Sequence, residues 1–220
     1  MTEKKGDLSR VSAVTCSSCD LSDACDELGI AAIRTGALKP LWPDCAPLSG
    51  PLRSVRLEPA ARADSPLVEL LDLLADSSGR VVMVDLGGRL DVQCWGTVLA
   101  TAARHFGVLG VLVNGAARDV DGLRALGLPC YARGVYPAAM RGRLRVASVD
   151  QPTELHGQSI PLESFAAVDS SGAVFLPVAR AAEAQELAGK RSQAEQDQLE
   201  AIESGADPRA TFGGRGTEQR

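Results

Sequence analysis

The middle of the chain constrains the fold most, because its apolar periodicity switches repeatedly between continuous runs and three-four spacing. Val81-Val-Met-Val84 is a continuous apolar run closed by Asp85-Leu-Gly-Gly88, the pattern of a strand buried on both faces that opens into a glycine turn. Trp95, Val98, Leu99, Ala102, Ala103 and Phe106 then recur at spacings of three and four before Gly107, which predicts an amphipathic helix with a glycine stop. Val108 to Val113 predicts a second buried strand ending at Asn114-Gly115, Leu123 to Leu126 with Gly127 a short helix, and Leu128 to Ala132 a third strand. Strand, helix, strand, helix, strand predicts an α/β protein with a parallel βαβ core and right-handed crossovers.

The flanks read differently. Asp20 to Leu28 before Gly29 predicts a short helix, Gly36 to Pro51 a loop, Leu52 to Leu57 a strand and Pro66 to Ala75 a second amphipathic helix. After Met140 the pattern becomes extended pieces (144–149, 160, 165–168, 173–176) separated by turns at His156-Gly-Gln and Asp169-Ser-Ser-Gly172, which predicts a second β layer. An Ala/Glu/Gln-rich helix is expected from Pro177 to about Glu203. Residues 1–10 are expected to be a flexible N-terminus, 11–205 a single domain and 206–220 a flexible tail.

Composition narrows the function classes. The 220 residues carry 23 Lys+Arg against 28 Asp+Glu, a formal charge of −5, and an acidic chain lacks the basic face that nucleic acid requires. Aromatic residues at 4% also disfavour base stacking. No run approaches the roughly 20 apolar residues of a bilayer span, and the first residues lack the apolar segment of a secretory signal. The expectation is therefore a cytoplasmic protein with neither membrane nor direct nucleic-acid partners. Six cysteines (Cys16, Cys19, Cys25, Cys45, Cys94, Cys130) are expected to be thiols. Cys16-Ser-Ser-Cys19 has no second close ligand pair to make a structural zinc site, so buried packing is expected for these side chains.

In parallel sheets, ligands sit outside the carboxyl ends of strands. Here strand 81–84 leads to the helix opening at Gly96-Thr-Val-Leu99, and strand 108–113 leads to Arg118-Asp119. Twenty residues lie between Thr97 and Arg118, about what one helix and one strand need to return to the same edge, so the two segments should face one pocket. Amide N–H groups at a helix start favour an anion, and an arginine grips a carboxylate with two parallel hydrogen bonds. Asp119 beside that clamp suits a hard divalent ion that keeps most of its waters. The alternative from spacing alone is that Asp119 is the N-cap of the helix before Leu123 and Arg118 is solvated. The glycines here do not form a dinucleotide-binding G-x-G-x-x-G.

The stretch from Trp95-Gly-Thr-Val-Leu to Val113-Asn-Gly-Ala-Ala-Arg-Asp119, followed by Gly127-Leu-Pro-Cys-Tyr-Ala-Arg-Gly-Val-Tyr-Pro137, strongly resembles the RraA-like family. Gly50-Pro-Leu-Arg-Ser-Val55, Val82 to Gly88 and Asp169 to Pro177 extend the likeness to roughly residues 12–205. That family includes the regulator of ribonuclease E activity, divalent-metal-dependent 4-hydroxy-4-methyl-2-oxoglutarate/4-carboxy-4-hydroxy-2-oxoadipate aldolases, and relatives with oxaloacetate decarboxylase activity. The resemblance implies an α/β/β sandwich of the swivelling-domain type, a homotrimer or dimer of trimers, and active sites between subunits. It implies that Arg118 binds a pyruvate-like carboxylate, that Asp119 holds the Mg²⁺ or Mn²⁺ cofactor, and that amides of Gly96, Thr97, Val98 and Leu99 hold the same substrate end. An acidic residue of a neighbouring subunit's C-terminal region, matched by position to Glu195, would help activate a water. The implied chemistry is retro-aldol cleavage or decarboxylation of a small 2-oxo acid.

The chain also departs from the aldolase pattern. Thr97 and Gly122 stand where aldolase members carry acidic residues, Asp121 lies one place early, and Leu86 replaces a common third glycine. A hydroxyl can hydrogen-bond a metal-bound water but cannot neutralise a cation. The alternatives are therefore a regulator on the same scaffold that binds a ribonuclease or another protein, or a pathway-specific enzyme with altered chemistry in the same pocket. His105, His156, Trp42 and Trp95 read as surface or packing residues, and Glu183, Glu186, Glu195 and Glu200 as a solvated helix face.

Overall fold

The computed structural model describes residues 16–60 and 65–213, so the expected flexible N-terminus at 1–10 and the last part of the expected tail lie outside the described residues. The elements in chain order are α1 (Ser18–Glu27), β1 (Ile33–Thr35), β2 (Lys39–Pro40), β3 (Leu48–Pro59), α2 (Leu67–Ala75), β4 (Val81–Asp85), β5 (Gln93–Trp95) and α3 (Thr97–His105). Then follow β6 (Gly110–Ala117), α4 (Val120–Leu126), β7 (Cys130–Val135), β8 (Leu144–Val149), β9 (Thr153–Leu155), β10 (Gln158–Ile160), β11 (Ser164–Val168), β12 (Ala173–Pro177), α5 (Ala181–Glu203) and α6 (Pro208–Gly213).

The expected parallel core is present: β3, β4, β6 and β7 run parallel in that order, with Val84 opposite Val113 and Val113 opposite Ala132. Both faces of these strands are covered, which is why their sequences are continuously apolar. Val82, Val84, Val111 and Val113 pack with Leu70, Leu74, Leu99 and Ala103 of α2 and α3. Met83, Leu112 and Tyr131 point the other way, into Ala166, Val168 and Phe175 of β11 and β12 and into Leu155 and Ile160 of the β9–β10 hairpin. The opposite side chains of β11 and β12, Phe165, Ala167, Val174 and Leu176, bury against Leu21, Ala24, Ala184 and Ala188 of α1 and α5. The result is the expected α/β/β arrangement with a further helical layer outside the second β layer. Each fully buried Leu or Val contributes about 1.5–3 kcal/mol.

β3 joins the two β layers, and the expected loop at 36–51 is where the sequence reading fell short. Its first residues pair antiparallel with β11 (Pro51 opposite Phe165) and its later ones antiparallel with β8 (Pro59 opposite Leu144), while its other edge pairs β4. A strand of 12 residues spans about 40 Å, long enough to serve two partners in succession. Pro47 and Pro51 look like loop residues in sequence, but Pro51 lies inside this strand. The expected tail is also partly ordered: Pro208–Gly213 forms α6, which packs on α5. Cys25, Cys94 and Cys130 are buried thiols as expected, but Cys19 is exposed on α1. Among the described residues no helix is long and apolar enough to cross a membrane.

Candidate functional site

The site is made by an extension of β6 past its expected end. Asn114-Gly115 do not stop the strand, which continues to Ala117, because β5 adds alongside it with Gln93 opposite Ala116 and Trp95 opposite Ala117. Trp95 is therefore a strand residue and not the first turn of α3. Its carbonyl accepts the Arg118 N–H at 2.9 Å, which locks the start of α3 against Arg118-Asp119. The loop before β5 is held from the other side: the Leu86 and Gly88 N–H groups donate to the Asn114 carbonyl at 3.0 Å. The buried Asn114 amide donates to the Asp85 carboxylate at 2.7 Å.

Gly96 leaves no room for a side chain beside Asp119. A Cβ on Gly96 would lie 2.8 Å from Asp119 Oδ2 and 3.4 Å from Arg118 Nε, so glycine is required for close approach, its φ of −159° being ordinary extended backbone. Asp119 itself has φ 57° and ψ 40°, a left-handed conformation that Asp tolerates better than most residues. That twist turns its carboxylate away from its own helix. The Asp119 carbonyl accepts the Leu123 N–H at 2.9 Å, but its side chain makes no cap on α4. Instead Oδ2 accepts the Thr97 N–H at 3.3 Å and stands 3.4 Å from Arg118 Nε. Asp119 thus holds the expected N-cap position of α4 by its backbone, while its side chain serves the first turn of α3, which has neither a side-chain cap from Gly96 nor an acidic residue of its own.

The structure thus brings Gly96, Thr97, Val98, Leu99, Arg118 and Asp119 together. Leu99 is buried in the helix-side core and offers only its backbone, whereas Val98 is exposed. The N–H groups of Val98 and Leu99 belong to a first turn, where no intrahelical acceptor exists. Glu195 lies exposed on α5, a helix packed against α1, and makes no hydrogen bond or ion pair with Arg118 or Asp119. His105 and His156 are exposed and Trp42 and Trp95 buried.

Three buried side-chain polar atoms among the described residues lack a hydrogen-bond partner: Gln93 Oε1, Trp95 Nε1 and Arg118 Nε. All three belong to β5 or to the residue bonded to its end. Each such group costs about 1–3 kcal/mol while it has no partner. Gln93 escaped the sequence reading because a three-residue strand shows no periodicity. An open cleft of about 390 Å³ lies elsewhere, between α1 and the β11–β12 turn. Its Arg34 is already saturated by Ser22, Ala32 and Asp26.

The donor set fits an anion better than a caged cation. Arg118 and the α3 amides attract negative charge. A resident hard divalent ion wants several oxygen ligands, but the carboxylate touching Gly96 is that of Asp119, already facing two donors. Positions 97 and 122 are neutral, and a Cβ at Gly122 would lie 2.7 Å from Thr97 Oγ1. Among the described residues no group of three or more His, Cys, Asp or Glu is placed to hold a metal. A resident ion held by protein ligands alone does not fit this site.

The sequence profile of the RraA-like family, Aldolase/RraA, matches residues 18–175. The chain belongs to the RraA-like family. It is 34% identical over 116 residues to the 4-hydroxy-4-methyl-2-oxoglutarate aldolase of Thermus thermophilus, covering 52% of this chain and 68% of that one. It is 26% identical over 167 residues to Protein DlpA of Legionella pneumophila, matching 74% of this chain but spanning only 26% of that protein's length. Among solved RraA-like structures it superposes on Streptomyces coelicolor RraAS2, described as an unusual member of the RNase ES inhibitor RraA protein family. That match has a TM-score of 0.75 and 26% identity, covering 90% of this chain and 99% of that one.

Proposed function

We propose that this RraA-like chain is a lyase for a small 2-oxo acid, cleaving a carbon–carbon bond next to a pyruvate unit by decarboxylation or retro-aldol reaction. The observation that carries the reading is the Arg118 guanidinium held against the first turn of α3, where the Val98 and Leu99 N–H groups have no intrahelical acceptor. Arg118 takes the substrate's carboxylate through parallel hydrogen bonds, and the N–H groups of Val98 and Leu99 stabilise the charge that gathers on the carbonyl oxygen as the bond breaks. In oxaloacetate the C3–C4 bond breaks, C4 leaves as carbon dioxide, and the electron pair moves to the C2 oxygen as an enolate. A proton from water at C3 then completes pyruvate.

Decarboxylation asks no side chain to remove a proton, which suits a site whose carboxylate is engaged by Thr97 N–H and faces Arg118. Retro-aldol cleavage needs a base for the 4-hydroxyl proton, and Thr97 is not one at neutral pH. For that reaction the reading assigns Glu195 of a neighbouring copy in a homotrimer or dimer of trimers. The direct test is pyruvate release from oxaloacetate and from a 4-hydroxy-2-oxo acid, with and without Mg²⁺ or Mn²⁺. Absence of release from both at high enzyme concentration would sink the catalytic reading.

A second reading is a protein-binding regulator, with a ribonuclease among its partners. Leu90, Val98, Val135 and Tyr136 support it: they are 48%, 66%, 56% and 40% exposed, and Leu90 packs on Gly134 beside the end of β7. Exposed apolar groups of this kind mark interaction surfaces. Co-purification with a ribonuclease, lost on Tyr136→Lys, would favour it; a chain that binds none argues against it.

A further inference from the structure

We propose that Leu90 and Tyr136 form an apolar wall beside Arg118 that selects a 2-oxo acid whose chain ends in an alkyl or aryl group over one that ends in a second carboxylate. This rests on the reading of Arg118 as the carboxylate clamp.

The ends of three parallel strands place the wall. Trp95 of β5, Ala117 of β6 and Val135 of β7 lie in register. The ladder then runs one residue further on each side of β6: the Arg118 N–H donates to the Trp95 carbonyl at 2.9 Å and the Tyr136 N–H to the Ala117 carbonyl at 2.8 Å. Side chains of register partners stand on the same face of a sheet, so Gly96, Arg118 and Tyr136 form a row on one face. A Cβ built on Gly96 indeed meets the Arg118 side chain, 3.3 Å from Cγ. Arg118 is thus bordered by glycine and the α3 amides on one side and by a tyrosine on the other. Gly134, two residues before Tyr136, faces the same way, and a Cβ there would lie 3.2 Å from Leu90 Cδ2. The bare glycine lets Leu90 lie on the strand next to Tyr136, and both side chains remain exposed.

The wall carries no charge to receive an anion. Residues 134–140, Gly-Val-Tyr-Pro-Ala-Ala-Met, hold no acidic or basic side chain. The charged neighbours of Leu90 are spent on each other, Arg89 donating to the Asp91 carboxylate at 3.0 and 2.7 Å. A 2-oxo acid with its carboxylate at Arg118 and its carbonyl oxygen at the Val98 and Leu99 N–H groups has one bond of its trigonal C2 left, to C3. That bond points away from α3 and towards β7. An alkyl or aryl group there buries its own surface with that of Leu90 and Tyr136, whereas a carboxylate loses water and gains no cation from the wall.

Three acids that the proposed lyase reaction cannot cleave serve as probes of the full chain: pyruvate, 4-methyl-2-oxopentanoate and 2-oxoglutarate, each titrated and read by ligand-observed NMR. Apolar pockets gain roughly tenfold or more per methylene taken up, so 4-methyl-2-oxopentanoate should bind at least about tenfold tighter than pyruvate, and tighter than 2-oxoglutarate. Tyr136→Ala and Leu90→Ala should each bring the ratio to pyruvate closer to one, and Arg118→Ala should weaken all three acids; circular dichroism melts confirm that the variants are folded. A ratio near one in the wild type, a ratio unmoved by both wall variants, or tighter binding of 2-oxoglutarate overturns the inference but leaves Arg118 as a carboxylate clamp. Wall variants that change the sedimentation of the protein and not the ratio also overturn it, assigning Leu90 and Tyr136 to a contact between copies. If no acid binds, or all bind Arg118→Ala as tightly as the wild type, the clamp itself is wrong and both readings fall.

Discussion

Thr97 and Gly122 oppose each other between the starts of α3 and α4, so close that any side chain at 122 would meet the Thr97 hydroxyl, a built Cβ coming within 2.7 Å of Oγ1. The two departures from the aldolase pattern are therefore one spatial event. Gly122→Asp alone should destabilise the fold by about 1–3 kcal/mol through overpacking. Combined with Thr97→Gly it should recover most of that loss, a coupling of about 0.5–3 kcal/mol. Urea unfolding of the two single variants and the double variant measures it, and simple additivity would show that the contact is not tight.

Gly96→Ala should be far more damaging than its size suggests. The new methyl would fall 2.8 Å from Asp119 Oδ2, pushing the carboxylate off Thr97 N–H and misplacing Arg118. A displacement on the scale of 1 Å can cost about 100-fold in rate, so kcat/KM for pyruvate release should fall by about that factor with a smaller change in melting temperature.

Arg118→Lys should behave nearly as badly as Arg118→Ala, since a point ammonium cannot give two parallel bonds to a planar carboxylate. Loss of a charged hydrogen bond of about 1.5–3 kcal/mol corresponds to roughly 10- to 150-fold weaker inhibition by oxalate. Competitive inhibition by oxalate with each variant reads this directly, and a lysine variant equal to wild type would contradict bidentate capture.

Stability should decline in acid through Asp169. Burial pushes its carboxyl up, but the Ser18 N–H and hydroxyl, with the Ser171 and Gly172 backbone, outweigh this and hold it below the ordinary carboxylate range. A depressed folded value means its stabilisation is fully present above the unfolded carboxyl value of about 3.9 and is lost as pH falls through the folded one. Melting curves between pH 6 and roughly pH 2 should therefore show a drop that Asp169→Asn flattens.

Thiol labelling should separate the cysteines. Cys19 is exposed and should react with a disulfide reagent in the native state, whereas burial, with Asp85 adding to it, pushes the Cys94 thiol far up, and burial does the same to Cys130. Those two should react only on unfolding; native-state labelling of either would mean the helix-side core opens.

Periodicity made the layered core legible, because strands covered on both faces and helices covered on one must carry distinct apolar patterns wherever they sit. β4, β6, α2, α3 and the β11–β12 turn all follow from residues close in sequence. The sequence also carried the pairing of Arg118-Asp119 with the 96–99 segment, since one helix and one strand have a fixed length of return. It could not show that β6 runs on to Ala117, that Trp95 ends a strand, or that β3 spans two partners. Those depend on hydrogen bonds to distant chain: β5 alongside β6, β11 and β8 along β3. The direction of the Asp119 carboxylate was likewise decided in three dimensions. Aspartate before a short helix is a natural cap for that helix, and only the left-handed backbone at 119 and the bare glycine at 96 send it across to α3 instead.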